Sequence, residues 1–393
     1  DCWEYDDLRG EYYLHLFAKE QPDLNYHNEA VIEAIEEAMH FWLERGVAGF
    51  RCDVINIIYK EAIKNGKWRP ALTGSEYYLS TPGCHRVLHR LHEDVLAKYD
   101  AFTVGETVFV TPKMADDLVN PAREVLSTVF AFEYMETDCY KIKWFLRRFN
   151  PDCFFACLTK WQKALPWNTV YLENHDQPRS VSRYGNDTKY HDESAKALAT
   201  LVLTLRGTPF LYEGQEIGMT NFDFPDMQKV RDVESINIWN IGKRLHLPRS
   251  LRWRMIKTKS RDNARTPMQW NDSPNAGFTT GTPWLSVNGN YPRINVAEQE
   301  NAPNSVLAYY RQLIAFRNGS EILQAGDFSE LYRKDGVYAY RRSLNVESLI
   351  VVISLSTKER PNPVSGTVVL SNYGRQESPA CLSPYEALIL REV

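Results

Sequence analysis

Helix-like and strand-like segments alternate five times along the first half of the chain, and this alternation restricts the fold more than any other feature. In each repeat, apolar residues at three- and four-residue spacing precede a short apolar run. The predicted helix and strand pairs are 28–45 with 49–55, 85–99 with 101–105, 114–119 with 125–132, 140–163 with 169–172, and 193–206 with 209–212. Strands that alternate with helices predict an α/β fold with a parallel sheet.

Each predicted strand ends in charged or polar residues, among which are Asp53, Glu106 and Asp176. The carboxyl ends of the strands carry the functional groups in a (β/α)8 barrel, also called a TIM barrel. The pattern therefore favours a barrel whose chemistry lies at one face. A closed barrel needs eight strand–helix units, and five are visible.

The second half of the chain changes character twice. From about 219 to 301 the sequence is polar and rich in proline and glycine, which predicts an irregular insertion, and a helix is predicted over 306–317. After Gly326 five strand-like segments separated by turns predict a small antiparallel β-sandwich domain. These segments are 327–332, 337–343, 349–356, 367–372 and 387–390.

Composition excludes several classes of function. The net charge of −4 gives no basic field for nucleic acid, and the apolar run Leu349–Leu355 is far shorter than the ~18 residues of a membrane span. Seven scattered cysteines without a C-x-x-C pair favour free thiols. For His85, His89 and His92, which share a helix face near Glu93, we expect a surface or packing role and no metal.

Asp53, Glu106 and Asp176 have the residue types that cleavage of an acetal between sugars requires. That reaction needs one carboxylate as nucleophile and one carboxylic acid as proton donor. Position alone leaves a second interpretation open, in which the three acids form salt bridges to Arg51, Arg179 and similar partners.

Six sequence blocks, taken together and in order, resemble the α-amylase family of glycoside hydrolases over essentially the whole chain. The blocks are Gln21–Asn25 (QPDLN), Gly49–Val54 (GFRCDV), Thr103–Glu106 (TVGE), Glu173–Arg179 (ENHDQPR), Gly207–Gly218 (GTPFLYEGQEIG) and Ser260–Trp270 (SRDNARTPMQW). Gln21 at the head of the first block resembles the oligo-1,6-glucosidase and dextran glucosidase (glucan 1,6-α-glucosidase) group.

The resemblance implies a role for each matching residue. Asp53 would be the nucleophile, Glu106 the general acid/base, and Asp176 the third acid, which stabilises the transition state. Three residues would bind substrate, namely Arg51, His175 and Arg265, with Arg261 a less favoured choice than Arg265. The implied reaction retains the anomeric configuration through a glycosyl-enzyme intermediate.

Val54, directly after the predicted nucleophile, resembles the residue of members that prefer α-1,6 bonds, although a β-branched residue in a strand needs no such explanation. The predicted function is a retaining, exo-acting α-glucosidase that hydrolyses α-1,6 bonds at the non-reducing ends of isomalto-oligosaccharides and short dextrans. Trehalose-6-phosphate hydrolase, which also carries valine there, and α-1,4-glucosidase are the alternatives. An isomaltulose synthase is disfavoured because the segment 140–169 lacks an Arg-x-Asp-Arg-x insert.

The chain departs from the family at its start. This sequence has no counterpart of several family segments, namely the first conserved block, the first three barrel strands, the calcium-binding loop and most of the second domain. We therefore expect an N-terminally truncated protein. The predicted domains are 1–25 (end of domain B), 26–325 (a partial barrel with strands 4–8) and 326–393 (the β-domain). A non-catalytic relative and an inert fragment of an enzyme are the remaining alternatives.

The sequence also predicts the substrates, the cofactors, the partners and the location of the protein. We expect an oligosaccharide substrate with water as the second substrate, no organic cofactor, and any calcium site in the missing N-terminal segment. We expect neither a nucleic-acid nor a membrane partner, and a cytoplasmic monomer.

Overall fold

The computed structural model describes residues 2–69, 72–123, 125–140 and 142–392. The chain divides into two compact units, Asp1–Phe132 and Glu133–Val393, and each is described by itself.

The first unit combines a hairpin, three helices and a parallel sheet. Its strands are β1 (Trp3–Asp6), β2 (Glu11–Leu14), β3 (Gly49–Cys52), β4 (Phe102–Glu106) and β5 (Thr128–Phe130). Its helices are α1 (Glu29–Leu43), α2 (Pro82–Asp94) and α3 (Pro112–Val119). Strands β1 and β2 form an antiparallel hairpin, whereas β3, β4 and β5 pair in that order and in parallel, which confirms the predicted pairing.

The helices of the first unit begin where the sequence provides caps. The side chain of Asn28 accepts a hydrogen bond from the backbone of Ala30 at the start of α1. Helices α2 and α3 each begin with proline after a threonine N-cap, Thr81 and Thr111. Helix α2 ends at Asp94, five residues before the predicted end.

The second unit contains helices and strands in alternation, followed by antiparallel sheets. Its strands are β6 (Cys139–Tyr140), β7 (Ile142–Leu146), β8 (Thr169–Val170), β9 (Thr208–Pro209), β10 (Asp327–Lys334), β11 (Val337–Leu344), β12 (Glu347–Ser354), β13 (Arg360–Pro361), β14 (Thr367–Ser371), β15 (Cys381–Leu382) and β16 (Ala387–Arg391). Its helices are α4 (Pro151–Ala164), α5 (Ser180–Tyr184), α6 (His191–Thr204), α7 (Val233–Arg244), α8 (Arg249–Lys259), α9 (Asp262–Arg265), α10 (Val296–Glu300), α11 (Val306–Asn318) and α12 (Glu321–Ala325).

Helix α6 lies at the centre of the second unit. Every residue from Ser194 to Thr204 is buried, and the helix packs against α11, β12 and β16. Strands β8 and β9 pair in parallel, as predicted for the segments before and after this helix. A helix that is buried on all sides needs few charged residues, which explains why its amphipathic pattern is weak.

The C-terminal segment forms the predicted antiparallel structure. Five strands pair in the order β10-β11-β12-β16-β14, and β13 pairs with β15. One face of the larger sheet buries a cluster of aliphatic side chains that includes Val337, Ile350, Val352, Leu388 and Leu390. Each of the five predicted strands in this segment overlaps one strand of this sheet.

The long helix predicted over 140–163 is wrong in its first part. Strands β6 and β7 form an antiparallel hairpin there, and helix α4 begins only at Pro151, capped by the side chain of Asn150. Ile142, Trp144 and Leu146 alternate with other residues at strand spacing and pack against the cluster around Phe224. Proline at the first helical position marks the true start.

The insertion predicted to be irregular over 219–301 contains helices α7 and α8. Trp239 on α7 meets Trp253 on α8 edge to face at a centroid distance of 5.7 Å. Ile236, Met255 and Ile256 join the same apolar cluster as the β7 hairpin. The two helices bury only one narrow stripe each, so their apolar residues are too sparse to produce a clear helical period in the sequence.

The seven cysteines are free. None of the helices in the described ranges is long and apolar enough to cross a membrane. Among the described residues no group of three or more His, Cys, Asp or Glu side chains could hold a metal, and His89 instead lies 3.2 Å from Glu93 on the surface of α2.

His191, the first residue of α6, is held between two hydrogen-bond acceptors. Its Nδ1 lies 2.7 Å from a carboxylate oxygen of Asp192 and its Nε2 lies 2.7 Å from the carbonyl oxygen of Gly218. Both partners only accept, so the doubly protonated ring satisfies both of them. Burial lowers the pKa of His191, but the bonds to Asp192 and Gly218 outweigh it and raise the pKa above 6.5.

We expect His191→Gln to lower the thermal unfolding midpoint more at pH 6 than at pH 8.5. A raised folded-state pKa stabilises the protein fully below the unfolded value of about 6.5, and that stabilisation is lost as the pH rises through the folded value. At pH 6 we expect the free energy of unfolding to fall by about 1 kcal/mol, the usual contribution of one hydrogen bond. His92→Gln on α2 is the control. A difference in thermal midpoint between the wild type and His191→Gln that stays constant or grows with pH would contradict the prediction.

Candidate active site

Asp53 and Glu106 lie at the carboxyl ends of two neighbouring parallel strands in the first unit. Strand β3 ends at Cys52, which pairs with Gly105 of β4, so the continued register places Asp53 opposite Glu106. The Asp53 side chain is 72% exposed, whereas that of Glu106 is 14% exposed. One carboxylate is therefore open to solvent and the other is largely enclosed.

Arg51 connects these two carboxylates. Its Nη1 donates to Oδ1 of Asp53 at 2.7 Å, and its Nη2 donates to Oε2 of Glu106. Burial lowers the pKa of Arg51, but the bonds and charges of Asp53 and Glu106 outweigh it, so the net shift is upward. The guanidinium therefore stays charged and bonds both carboxyl groups.

The strand predicted over 49–55 ends at Cys52, before Asp53. Val54 does not continue the strand, because its φ of 40° and ψ of 39° lie in the left-handed region. A β-branched residue adopts this conformation only under strain. Burial raises the pKa of Cys52 to about 11, although the charge of Arg51 acts in the opposite direction. The Cys52 thiol therefore stays protonated at neutral pH and is not a nucleophile itself.

Asp176 lies in the loop that follows β8 in the second unit. The side-chain oxygen of Asn174 accepts a hydrogen bond from the backbone of Asp176 at 2.8 Å, which forms an Asx turn. Oδ1 of Asp176 accepts a 2.5 Å bond from Nη2 of Arg265. Arg265 also donates from Nε to the carbonyl oxygen of His175 at 2.8 Å. The structure thus brings together three predicted site residues of this unit, Asp176, His175 and Arg265.

Arg261 lies behind Arg265 and is held by a different acid. Its Nε donates to Asp232 at 2.8 Å, while its Nη1 lies 3.6 Å from Asp176. Burial lowers the pKa of Arg261, but Asp232 and Asp176 together raise it. Asp232 did not emerge from the sequence, because only tertiary folding brings the N-cap residue of α7 to Arg261.

Arg179 is a buried side chain whose hydrogen bonds hold the Asp176 loop in place. Its side chain is 1% exposed and donates to Glu173 at 3.1 Å, to the carbonyl oxygen of Glu213 at 2.6 Å and to that of Ala264 at 3.2 Å. Ala264 directly precedes Arg265. One arginine therefore joins the Asp176 loop to the segment after β9 and to helix α9, and its place in the ENHDQPR block was the sequence signal for it.

A second buried ionic group supports the residue after Asp176. Arg183 donates to the side chain of Gln177 at 2.6 Å and to Asp138 at 2.8 Å, and Lys259 donates to both oxygens of Asp138 at 2.7 Å. Burial lowers the pKa of Lys259 to about 8, with Asp138 partly offsetting the effect. The loop that carries Asp176 is therefore fixed on two sides by buried charges.

The two clusters have complementary chemistry. In the first unit, a solvent-exposed carboxylate and an enclosed one share a guanidinium, an arrangement suited to a nucleophile beside an acid/base. In the second unit, Asp176 and His175 present polar atoms beside Arg265 that can hydrogen-bond sugar hydroxyls.

The sequence matches known proteins over almost its full length. The profile described as "Alpha amylase, catalytic domain" matches residues 1–326. The oligo-1,6-glucosidase of Parageobacillus thermoglucosidasius is 44% identical over 412 residues, which cover 99% of this chain and 73% of that protein. The trehalose-6-phosphate hydrolase of Bacillus subtilis strain 168 is 38% identical over 408 residues, which cover 99% of this chain and 72% of that protein.

A solved structure shows the same fold. The crystal structure of the isomaltulose synthase from Klebsiella sp. LX3 superimposes with a TM-score of 0.92 at 33% identity, over 100% of this chain and 73% of that one. The likeness places the fold in the class that combines a TIM barrel with a C-terminal β-domain. The chain is a glycoside hydrolase, and it belongs to the α-amylase family.

Proposed function

We propose that the protein is a retaining α-glucosidase with Asp53 as nucleophile, Glu106 as general acid/base and Asp176 as the third acid. The bridge from Arg51 to both Asp53 and Glu106, at the ends of paired strands, is the observation that carries this proposal. We also propose that β3, β4, β5, β8 and β9 correspond to strands 4–8 of the family's barrel.

The reaction proceeds in two steps in this proposal. Asp53 attacks the anomeric carbon of the non-reducing glucose while Glu106 protonates the departing oxygen, which leaves a glucosyl ester on Asp53. Glu106, now ionised, takes a proton from water, and the hydroxide attacks the same carbon to release glucose with retained configuration.

Asp176, His175 and Arg265 bind the glucose that is cleaved off in this proposal. Asp176 accepts hydrogen bonds from sugar hydroxyls, and its negative charge stabilises the cationic transition state. Arg265 fixes the orientation of Asp176 through its bonds to that carboxylate and to the backbone of His175. The buried hydrogen bonds of Arg179 and Arg183 hold this loop in place, which supports a preorganised Asp176 carboxylate.

We propose that the substrates are isomalto-oligosaccharides and short dextrans, cleaved at α-1,6 bonds. Val54 beside the nucleophile and the 44% identity to an oligo-1,6-glucosidase support this choice. The 38% identity to a trehalose-6-phosphate hydrolase keeps that activity as the second candidate. Both candidates share the same catalytic residues and differ in the group that leaves.

The substrate is tested by comparing kcat/KM on isomaltose, trehalose-6-phosphate and maltose under the same conditions. We expect isomaltose to be preferred at least about tenfold, which corresponds to about 1.4 kcal/mol of transition-state binding. The anomer of the first glucose released, followed by NMR, reports retention. A preference for trehalose-6-phosphate or maltose would replace the proposed substrate, and inversion would contradict the mechanism.

A further inference from the structure

Asn56 joins the two loops that leave the carboxylate-bearing strands. It lies three residues after Asp53 and is completely buried. Its Nδ2 donates to the carbonyl oxygen of Val108 at 2.9 Å, and its Oδ1 accepts from the Val108 backbone N–H at 3.1 Å. Val108 in turn lies two residues after Glu106. One side-chain amide thus connects the chain after Asp53 to the chain after Glu106.

The amide of Asn56 continues the hydrogen bonding of the sheet beyond its end. The paired residues of β3 and β4 end at Cys52 and Gly105. Past that pair, the backbone groups of the two segments need other partners. A side-chain amide offers one C=O and one N–H2, so it bonds both polar groups of Val108 as a neighbouring peptide would.

Both ends of this connection are anchored to further segments. Nδ2 of Asn56 also donates to Oγ of Ser80 at 3.2 Å, and the backbone of Ser80 donates to the Asn56 carbonyl oxygen at 2.7 Å. On the other side, Oγ1 of Thr107 donates to the carbonyl oxygen of Phe130 in β5 at 2.8 Å. Hydrogen bonds to neighbouring segments therefore hold Asn56 in place.

We propose that Asn56 is a positioning residue that sets the distance between the Asp53 and Glu106 carboxylates. The inference rests on the proposed function, in which these two side chains act on opposite sides of one bond. Arg51 holds the carboxylates through their charges, whereas Asn56 holds the backbones from which they extend. An error of 1 Å in such a geometry costs about 100-fold in rate.

We expect Asn56→Ala to lower kcat on isomaltose by about 10- to 100-fold while KM changes less than about threefold, because the variant misplaces reacting groups and leaves the sugar contacts intact. Asn372→Ala is the matched control. Asn372 is a buried amide of the C-terminal sheet that bonds Tyr385, Ala387 and Glu193. It should lower the thermal midpoint and leave kcat unchanged, with all rates measured well below that midpoint.

Asn56→Asp separates positioning from folding, and it also serves if the alanine variant does not fold. An ionised carboxylate can accept from the Val108 N–H but repels the Val108 carbonyl oxygen, whereas a protonated carboxyl group again offers one donor and one acceptor. The ratio of the variant's kcat to that of the wild type should therefore rise as the pH falls. A purely structural residue would not change the pH profile of kcat in this way.

The outcomes are distinct. A low kcat in Asn56→Ala together with an acid-restored kcat in Asn56→Asp supports the inference. If the alanine variant does not fold, the result for Asn56→Asp decides. A wild-type kcat in Asn56→Ala, or a kcat ratio for Asn56→Asp that does not depend on pH, overturns it alone. A wild-type protein that cleaves no glucoside overturns the proposed function and this inference with it.

Discussion

Asp53→Asn is expected to lower kcat on isomaltose by about 10⁴-fold or more, since loss of a nucleophile removes the covalent route altogether. An amide cannot form the glucosyl ester, and it also withdraws the negative charge that faces Arg51. Binding of substrate is expected to survive, because the sugar contacts proposed for the second unit are unchanged. The measurement is single-turnover release of glucose together with a binding isotherm for isomaltose.

Asp94→Asn is the matched control for this variant. Asp94 also faces an arginine, Arg90, at 3.3 Å, but on the exposed surface of α2. Its replacement should change neither kcat nor KM, since exposed pairs contribute about 0–1 kcal/mol. Near-full activity in Asp53→Asn would refute its assignment as nucleophile.

Glu106→Gln is expected to lower kcat on isomaltose by about 10²- to 10⁴-fold, the usual contribution of general acid/base catalysis. The loss should depend on the leaving group. A nitrophenyl α-glucoside releases a stabilised anion that needs no proton, so formation of the glucosyl ester remains fast. Hydrolysis of that ester still requires the base and becomes slow.

The variant should therefore release a burst of nitrophenol equal to the enzyme concentration and then turn over slowly, which absorbance in a stopped-flow instrument records. Glu93→Gln is the control, because Glu93 is an exposed glutamate that faces only His89 in α2. Equal losses on isomaltose and on the nitrophenyl glucoside, without a burst, would contradict the role of Glu106.

The parts of the site that the sequence predicts are those that depend on local pattern. A short apolar run followed at once by a polar residue determines where a buried strand emerges, and this is why Asp53 and Glu106 could be placed at strand ends. Strand and helix alternation then requires parallel pairing, which β3, β4 and β5 show. The antiparallel strands after Gly326 were likewise evident as strand-like segments separated by turns.

The sequence left open salt bridges from the three acids to arginines such as Arg51, but it could not specify which of these bonds form. The second bond of Arg51, to Glu106, joins residues 55 positions apart, and Asp232 meets Arg261 across 29 positions. Such contacts depend on tertiary packing, which periodicity does not encode. The same limit explains the missed β6–β7 hairpin, where apolar residues at strand spacing merge into the pattern of the following helix.

The left-handed backbone at Val54 affects which substitutions stabilise this protein. A branched residue in that conformation costs of order 1–3 kcal/mol, and glycine or asparagine would adopt it more readily. Substitutions that stabilise the chain would therefore be easy to find at position 54, directly beside the proposed nucleophile. A screen for thermostable variants that ignores activity should therefore recover this position early.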